Sequence, residues 1–400
     1  MRVLIAEDER ITRMTLARQL QAWGHDVTAA EDGQQAWEQF SGGVPFDIVI
    51  TDWEMPQVSG VELVGRIRKT PRELYTYIIM LTSRSDKADI VNGIEAGADD
   101  FVSKPFDREE LRVRLLAGER VVRLERALTL QNAELRDASE RIRSGLRAAA
   151  RVQQSMLPRQ NIVTPHVGTA WKYVPTDELA GDAIGLYLID DRYLVAYVLD
   201  VSGHGVPAAL LSVSAMRSLE PDPAEMSILR TMTQTDDHLG TVQRPARVAL
   251  ELNRRFRAGE NDGRYLTMIL CVLDTFDGRL QMTCAGHPPP LLIRGTDSVT
   301  LPDAGGFPIA IMDVAEYEDG VTQLRAGDRL CLYSDGIIEQ CDLAEDEQFG
   351  VERLRQSLST RNGMAAEQVV GAVVDDLASW AGSEAFIDDV SLVVIEWRGR

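Results

Sequence analysis

Short apolar runs alternate with amphipathic stretches over residues 1–120 of the sequence. In the stretches 12–23 and 60–68 the apolar positions recur with the period of a helix. Strands that are apolar throughout and alternate with helices are typical of a parallel sheet covered on both faces. We therefore predict a doubly wound α/β domain with a five-stranded parallel sheet. The apolar runs lie at 3–6, 48–51, 77–82 and 101–103.

Residues 121–157 follow a different pattern, in which apolar side chains recur every seven residues. A second apolar row lies between them, weakened by Gln131 and Gly145, and charged residues fill the flanks. Such a repeat predicts a coiled-coil helix, although a single amphipathic helix packed on its neighbours gives a similar pattern. Pro158 then ends the helix. The heptad positions are Val121, Leu128, Leu135, Ile142, Ala149 and Met156.

Beyond residue 158 the sequence is rich in predicted strands, with a few separate helices at 207–219, 246–256 and 365–380. Runs of strands with segregated helices are typical of an α+β layered fold. The segment 220–243, rich in Pro, Asp, Thr and Met, is predicted to be a mobile insertion. The predicted strands are 193–199, 266–273, 280–284, 329–333 and 390–396.

The sequence has 62 acidic and 42 basic residues, a formal net charge of −20. This charge repels phosphate backbones, so we expect no nucleic-acid partner. Cys271, Cys284, Cys331 and Cys341 include no CxxC pair, and we expect them to be reduced thiols. The apolar run after Met1 is too short for a signal peptide, and no stretch approaches the ~18 apolar residues of a membrane span. We therefore expect a cytoplasmic protein without membrane insertion.

Candidate chemistry collects at the predicted C-terminal ends of the first strands, the edge where open parallel sheets bind ligands. Glu7 and Asp8 follow the first strand, Asp52 and Thr82 end later ones, and Lys104 follows the last. Three crowded carboxylates need a divalent cation, and oxygen ligands favour Mg²⁺. Asp52 can then attack a phosphoryl donor. We expect Asp8 to bind the metal directly and Glu7 through water, while Thr82 and Lys104 hold the phosphoryl oxygens.

This arrangement closely resembles the CheY-like receiver domain of response regulators. The resemblance implies that a sensor histidine kinase phosphorylates Asp52 and that the Glu54 backbone carbonyl helps to hold Mg²⁺. It also implies that Phe101 reorients when Thr82 swings toward the phosphoryl group. Trp53 stands where a smaller aliphatic residue is commoner, and we expect it not to touch the chemistry. The matching segments are 6–9, 47–56, 81–83, 97–101 and 104–106.

Four further acids lie at predicted strand boundaries in the C-terminal region: Asp182, Asp200, Asp335 and Asp388. One Asp-Gly pair is usually a turn, but four such acids at strand ends are better explained by a binuclear metal site. Carboxylates, a backbone carbonyl and waters suit Mg²⁺ or Mn²⁺, and two such metals can activate water for in-line attack on phosphorus. No cysteine has an arginine at the spacing that a cysteine phosphatase needs.

This second region resembles the metal-dependent PPM protein serine/threonine phosphatases, specifically the SpoIIE-type branch. The resemblance implies a β-sandwich flanked by helices that holds two Mn²⁺ or Mg²⁺ ions. Asp200 would bridge both ions, Asp335 and Asp388 would complete one, and Asp182 with the Val201 backbone carbonyl would complete the other. The matching segments are 152–158, 180–182, 199–205, 207–210, 266–268, 285–289, 332–339, 349–350 and 388–391.

Two features of the phosphatase-like region need separate interpretation. The family commonly has Gly-Gly-Asp-x-x-Asp, but Gly185 stands at the second acid, and we expect that loss to weaken activity rather than abolish it. His204 and His287 are candidates for a general acid. Because the family also takes lysine at the position of His204, we interpret both histidines as structural.

The favoured interpretation is a two-component response regulator in which phosphorylation of Asp52 controls a protein serine/threonine phosphatase. We predict domains at 1–120 (receiver), 121–157 (linker) and 158–400 (phosphatase). The resemblance implies a phosphorylated STAS-type anti-sigma-factor antagonist as substrate, and the heptads favour a homodimer. The alternative is a phosphatase-like adaptor without turnover, which Gly185 supports. A DNA-binding output would need a basic helix-turn-helix pattern, which is absent from the sequence.

Overall fold

The computed structural model describes all residues except 44, 72–73, 84–92, 222–226, 231–237, 240, 258, 260, 303, 343–346 and 400. The chain divides into two units, Met1–Arg141 and Ile142–Arg400. Within the described ranges, no helix is both long enough and apolar enough to cross a membrane.

Five parallel strands form the sheet of the first unit in the order β2-β1-β3-β4-β5, which confirms the predicted α/β fold. The three central strands have almost entirely buried side chains because helices pack on both faces of the sheet. The elements are β1 (Arg2–Ala6), α1 (Arg10–Ala22), β2 (Asp26–Ala30), α2 (Gly33–Ser41), β3 (Ile48–Asp52), α3 (Gly60–Lys69), β4 (Tyr77–Thr82) and β5 (Asp100–Ser103).

Apolar runs in the sequence predicted every strand of this sheet except β2. That strand lies at the edge of the sheet and pairs only with β1. Asp26 is exposed and only Ala30 is fully buried, so β2 has no apolar run. The sequence pattern therefore identified the three central strands and the edge strand β5, and missed the edge strand β2.

One continuous helix, α4 (Arg108–Ser155), connects the two units in sequence. It runs without interruption through residue 121, where the sequence analysis placed the start of a separate linker. Leu111, Leu115 and Val122 are buried against the sheet of the first unit. Arg126 also forms an ion pair with Asp47 in that unit. The final helix of the first unit and the predicted linker are therefore a single element.

Two sheets form the sandwich of the second unit, as predicted. One sheet has the order β15-β12-β11-β8-β7 with β16 also paired to β12, and the other has the order β14-β13-β17-β18-β6. Their facing side chains form one core, and helices α8 and α9 pack on the outer face of the second sheet. The strands are β6 (Val167–Val174), β7 (Ala183–Ile189), β8 (Tyr193–Val201), β9 (His238–Leu239), β10 (Val242–Gln243), β11 (Leu266–Asp274), β12 (Arg279–Ala285), β13 (Leu291–Arg294), β14 (Asp297–Val299), β15 (Gly305–Gly306), β16 (Gly320–Gln323), β17 (Arg329–Tyr333) and β18 (Val390–Trp397). The helices are α5 (Val206–Ser218), α6 (Pro245–Arg255), α7 (Asp335–Ile338), α8 (Gly350–Ser359) and α9 (Ala366–Ala381).

The predicted mobile insertion at 220–243 is wrong for its described parts. Leu229 and Val242 are completely buried in the core of the second unit. The short strands β9 and β10 pair with each other, and Gln243 donates a backbone hydrogen bond to Leu229. Residues 222–226, 231–237 and 240 of this segment lie outside the described residues. Its polar composition concealed the few apolar side chains that anchor it.

Candidate functional site

The first candidate site lies at the C-terminal edge of the parallel sheet. Glu7 and Asp8 follow β1, and Asp52 is the last residue of β3. Carboxylate oxygens of these three residues all lie within 4.8 Å of one another. In the described part of the chain, no other group of three or more acids, histidines or cysteines meets that distance. The structure therefore brings the three predicted carboxylates together.

Lys104 joins this cluster from the end of β5. Its Nζ donates hydrogen bonds to Asp52 Oδ2 at 2.6 Å and to Glu7 Oε2 at 2.8 Å. Burial lowers the pKa of Lys104, but these hydrogen bonds outweigh it and the net pKa is raised. Burial also raises the pKa of Glu7, and the charge of Asp52 adds to that rise. Lysine thus neutralises part of a negative charge that would otherwise repel an incoming phosphoryl group.

The predicted switch residues lie on the next two strands of the sheet, β4 beside the strand of Asp52 and β5 beyond it. Thr82 is the last residue of β4 and is 2% exposed, and Phe101 is on β5. Trp53 corrects one expectation, because its backbone N–H donates to Asp52 Oδ1 at 2.7 Å. Its ring lies 6.5 Å from that of Phe101, centroid to centroid. Trp53 thus contacts both the phosphoacceptor and the switch, while Glu54 lies in the exposed turn after β3.

The second candidate site is built where strands of both sheets of the sandwich end. Asp182 immediately precedes β7, and Asp200 with Val201 ends β8. Asp335 begins α7, directly after β17, and Asp388 precedes β18. Both sheets therefore deliver acids to one edge of the sandwich. The charges of Asp335 and Asp388 act on Asp200, so acids from the two sheets lie near one another.

Two glycines allow the acid-bearing segments to approach each other. A Cβ at Gly181 would lie 2.9 Å from the Val201 carbonyl oxygen and 3.6 Å from Asp200 Oδ1. A Cβ at Gly336 would lie 2.2 Å from the carbonyl oxygen of Asp389. In the structure these glycines let one backbone approach another, which brings the acids together.

Asp389 holds the segment that carries Asp182. Its Oδ1 accepts hydrogen bonds from the backbone N–H and the hydroxyl of Thr176, both at 2.8 Å. Its Oδ2 accepts from the Gly181 N–H at 2.9 Å and, at 3.5 Å, from the Asp182 N–H. Sequence analysis identified Asp388 as a candidate ligand and gave its neighbour Asp389 no role. The structure shows that this buried carboxylate braces the loop rather than facing solvent.

Burial and mutual repulsion raise the pKa values of these acids, as is expected where carboxylates bind a cation. Burial raises the pKa of Asp200 to about 7, and the charges of Asp335 and Asp388 add to the rise. Burial and the charge of Asp200 raise the pKa of Asp182 well above its usual range. The buried Oδ2 atom of Asp182 has no hydrogen-bond partner among the residues that the structure describes. Divalent cations would relieve both the repulsion and the unpaired oxygen, so the residues fit Mg²⁺ or Mn²⁺.

Two further residues, Glu339 and His204, lie near these acids. The charge of Glu339, one turn after Asp335, raises the pKa values of Asp200 and Asp335, so it lies close to both. Its i+4 spacing from Asp335 on a short helix was a usable signal. His204 is 93% exposed, with Nδ1 3.9 Å from Asp177 Oδ2, and its charge acts on Asp388. The imidazole is thus exposed beside the acids, and the interpretation of His204 as structural stays a prediction.

Gly185, which replaces the family's second acid, lies in β7 directly opposite Tyr197 of β8. A Cβ at Gly185 would lie 2.1 Å from Tyr197 Cε1 and 2.3 Å from its Cζ. The ring of Tyr197 is completely buried and occupies the space above the glycine. An aromatic side chain that covers a glycine on the neighbouring strand is a known stabilising pair in sheets. Where the family commonly has an acid, this chain therefore has a glycine, and the Tyr197 ring fills the space that a side chain would take.

Two family models match this chain. The model for Stage II sporulation protein E (SpoIIE) matches residues 190–398, more than half of the chain. The model for the response regulator receiver domain matches residues 3–116. The two matches divide the sequence between the parallel-sheet unit and the sandwich unit.

Individual relatives agree with this division. The transcriptional regulatory protein TcrA of Mycobacterium tuberculosis is 38% identical over 140 residues, which are 35% of this chain and 54% of TcrA, so the chain spans about half of that relative. The chemotaxis protein CheY1 of Helicobacter pylori is 33% identical over 116 residues, 29% of this chain and 94% of CheY1. The solved SiaA-PP2C domain of Pseudomonas aeruginosa has a TM-score of 0.54 at 22% identity, covering 65% of this chain and 98% of that one. The last likeness concerns the fold alone.

Proposed function

Since the chain belongs to the Stage II sporulation protein E (SpoIIE) family and carries a response regulator receiver domain, we propose that phosphorylation of the receiver controls a metal-dependent protein serine/threonine phosphatase. The observation that supports this most directly is the convergence of Asp182, Asp200, Asp335 and Asp388 at one edge of the sandwich. The family is metal dependent, and the donors present are all oxygens, as Mg²⁺ and Mn²⁺ prefer.

In the receiver, Asp52 is the proposed phosphoacceptor and Asp8 the direct ligand of Mg²⁺. Glu7 would act on the ion through water, and the Glu54 backbone carbonyl would complete the site. Lys104 already bridges Asp52 and Glu7. Mg²⁺ held by these carboxylates would neutralise them, and Lys104 could then donate its hydrogen bonds to the phosphoryl oxygens instead. A sensor histidine kinase is the proposed phosphodonor.

The phosphoryl group would then act on the two switch residues. Thr82 would turn toward the phosphoryl oxygens and vacate the space beside Phe101. The ring of Phe101 would follow, and Trp53 would lose or change its contact with it. The change therefore starts within hydrogen-bond distance of Asp52 and reaches the surface of β5.

In the phosphatase, Asp200 would bridge two Mg²⁺ or Mn²⁺ ions. Asp335 and Asp388 would complete one ion site, and Asp182 with the Val201 carbonyl the other. The ions supply Lewis acidity and a nucleophile at neutral pH for attack on a phosphoester. Asp389 keeps Asp182 in place throughout by accepting hydrogen bonds from the Gly181 and Asp182 N–H groups.

The proposed substrate is a phosphoserine or phosphothreonine in a protein. The resemblance to the SpoIIE-type branch supports a phosphorylated STAS-type anti-sigma-factor antagonist. We also propose the domain boundaries 1–120, 121–157 and 158–400, and a cytoplasmic location. Gly185 favours the alternative of an adaptor that binds its partner without turnover. The four retained acids favour the enzyme.

A parallel homodimer through the part of α4 that follows residue 121 is the proposed route of control. Along this helix the heptad side chains Leu124, Leu128, Leu135 and Ile142 are each more than half exposed. Exposed leucines at this spacing form the seam of a two-stranded coiled coil. A second copy of the chain would cover that seam and place two receivers at the same end.

One assay tests the proposed activity. The full chain is incubated with a generic phosphate ester and Mn²⁺, with and without beryllofluoride as a phosphoryl mimic on the receiver. We expect hydrolysis that depends on Mn²⁺ and changes with the mimic. Asp200→Asn should lose about a thousandfold or more, since one carboxylate would serve both ions.

The matched control is Asp277→Asn, an exposed acid in the turn between β11 and β12 that caps the Arg279 N–H at 2.8 Å. This variant should keep the parental rate. A parental chain that hydrolyses neither the generic ester nor any phosphoprotein in Mn²⁺ would contradict the enzyme and leave the adaptor.

A further inference from the structure

His287 connects the two sheets of the sandwich at the edge that carries the acids. It follows β12, is 6% exposed, and has hydrogen bonds at both ring nitrogens. Nδ1 lies 2.9 Å from the hydroxyl of Thr267 on β11, and Nε2 lies 3.0 Å from the carbonyl oxygen of Tyr333 on β17. These two strands belong to different sheets. The imidazole therefore bridges the sandwich.

The two partners determine the form of the imidazole. A carbonyl oxygen only accepts, so Nε2 must carry the proton that bonds to Tyr333. Nδ1 then has a lone pair and accepts from the hydroxyl of Thr267. Burial lowers the pKa of His287 to about 4, partly offset by its bond to the Tyr333 carbonyl. The ring is thus neutral near pH 7, with both nitrogens occupied, and has no proton to exchange with a substrate.

Each partner of His287 lies beside a metal-site acid. Thr267 is the cross-strand partner of Asp200 in the β8–β11 ladder. Tyr333 ends β17 two residues before Asp335. A change in the distance between Thr267 and Tyr333 therefore changes the distance between Asp200 and Asp335. The proposed site needs these two acids on one shared ion.

We propose that His287 is a positioning residue that sets the separation of Asp200 and Asp335 and thereby the affinity of the site for divalent cations. This inference rests on the proposed metal-dependent function and adds a residue that touches neither metal nor substrate. Partners that orient metal ligands through hydrogen bonds are typically worth 10–100-fold in metal affinity or activity. We expect His287 to fall in this range, because it acts on two ligand-bearing strands at once.

The test measures Mn²⁺ binding to the full chain by titration of the free-ion EPR signal. All variants carry Asp8→Asn, which removes a proposed ligand of the receiver ion, so that the titration reports the phosphatase unit. His287→Ala removes both hydrogen bonds. His287→Gln can still donate to the Tyr333 carbonyl, and Thr267→Val removes only the hydroxyl partner with little change in shape. Melting of the metal-free chain in EDTA measures stability separately.

His166→Ala is the matched control. His166 is a half-buried histidine of the same unit whose Nδ1 lies 2.9 Å from the Gly399 carbonyl oxygen, at the N-terminal end of β6. Its loss should lower the melting temperature in EDTA without changing the Mn²⁺ dissociation constant. A role in stability alone would make His287→Ala behave in the same way.

We expect His287→Ala to raise the Mn²⁺ dissociation constant 10–100-fold. His287→Gln and Thr267→Val should lie between it and the parent. Affinity within twofold of the parent in His287→Ala would overturn the inference, whatever the melting temperature. Should that variant fail to fold, the same criterion applies to Thr267→Val. A parent that binds Mn²⁺ tightly but hydrolyses nothing would refute the proposed function and leave this inference standing. A parent that binds no Mn²⁺ would refute both.

Discussion

Restoring a side chain at Gly185 is the sharpest test of the sandwich packing near the acids. The family commonly has an acid at this position, so Gly185→Asp looks like a repair. The structure predicts the opposite result. The new Cβ would lie 2.1 Å from Cε1 of the buried Tyr197 ring, whereas carbon atoms in contact are normally about 3.5–4 Å apart. The ring would have to move by more than about 1 Å in a core that is closely packed.

The expected cost follows from this overlap. Overpacking of a core costs about 1–3 kcal/mol, and Gly→Ala returns about 0.5–1 kcal/mol through the unfolded chain. Gly185→Ala should therefore lose up to about 2.5 kcal/mol of unfolding free energy. Gly185→Asp should lose more, because it adds a buried carboxylate without a partner. For a unit of this size, each kcal/mol lowers the melting temperature by about 2–4 °C.

The assay is a double-mutant cycle between Gly185→Ala and Tyr197→Ala, measured by calorimetry of the full chain. All variants carry Asp8→Asn to remove a proposed ligand of the receiver ion, so the transition that Mn²⁺ raises reports the phosphatase unit. The control is Gly168→Ala in β6, also a buried strand glycine. Its Cβ would approach only the flexible end of Arg398, at 2.6 Å, so this variant should be nearly neutral.

The cycle gives a clear criterion. In the Tyr197→Ala background the ring is absent, so adding a Cβ at Gly185 should cost nothing, and the two changes should differ from additivity by about 1–3 kcal/mol. Additive losses would refute the steric argument. A Gly185→Asp variant that is more active than the parent at unchanged stability would show that the site lacks only an acid.

Three further predictions concern the receiver and the helix. A small phosphodonor with Mg²⁺ should label the parent but not Asp52→Ala, and label that persists in the variant would contradict the assignment. His25 lies in a nearly buried pair with Glu119, and burial lowers its pKa below the unfolded value of 6.5, with repulsion from the N-terminus adding to it and Glu119 partly offsetting it. The contribution of His25 to the free energy of unfolding of the first unit should therefore be complete above pH 6.5 and be lost as the pH falls below it. In His25→Gln, the free energy of unfolding measured by urea denaturation should depend less on pH across that window. Four residues inserted after Leu135 should abolish the response of phosphatase activity to the phosphoryl mimic and spare basal activity. Seven residues inserted there keep the heptad phase and should keep the response, while a chain that stays monomeric at micromolar concentration would rule out the dimer.

Much of the first unit was predictable from the sequence because its chemistry follows from chain order. Parallel strands place all their C-terminal ends at one edge, so residues that follow successive strands must meet there. The order of the strands therefore predicted that Glu7, Asp52 and Lys104 lie together, and the structure places them within hydrogen-bond or ion-binding distance. The edge strand β2 was not predicted from the sequence, because solvent on one side removes the requirement for apolar residues.

The second unit was less predictable because its acids come from two antiparallel sheets. Strand ends identified Asp182, Asp200, Asp335 and Asp388, but no local pattern says which strands are neighbours. Contacts between residues far apart in sequence depend on how the two sheets pack. The segregated helices predicted the class of fold and left the order of the strands open.

The sequence by itself determined which chemical groups the chain offers and, through strand periodicity, at which strand ends they lie. Only the tertiary structure decided which residues support them. Asp389 braces the loop of Asp182 across 207 positions of sequence, Tyr197 fills the space above Gly185, and His287 spans two sheets. The physical reason is that periodicity reports whether a side chain is buried, whereas a hydrogen bond or a steric contact depends on the identity of the neighbour. That neighbour is set by packing between distant segments.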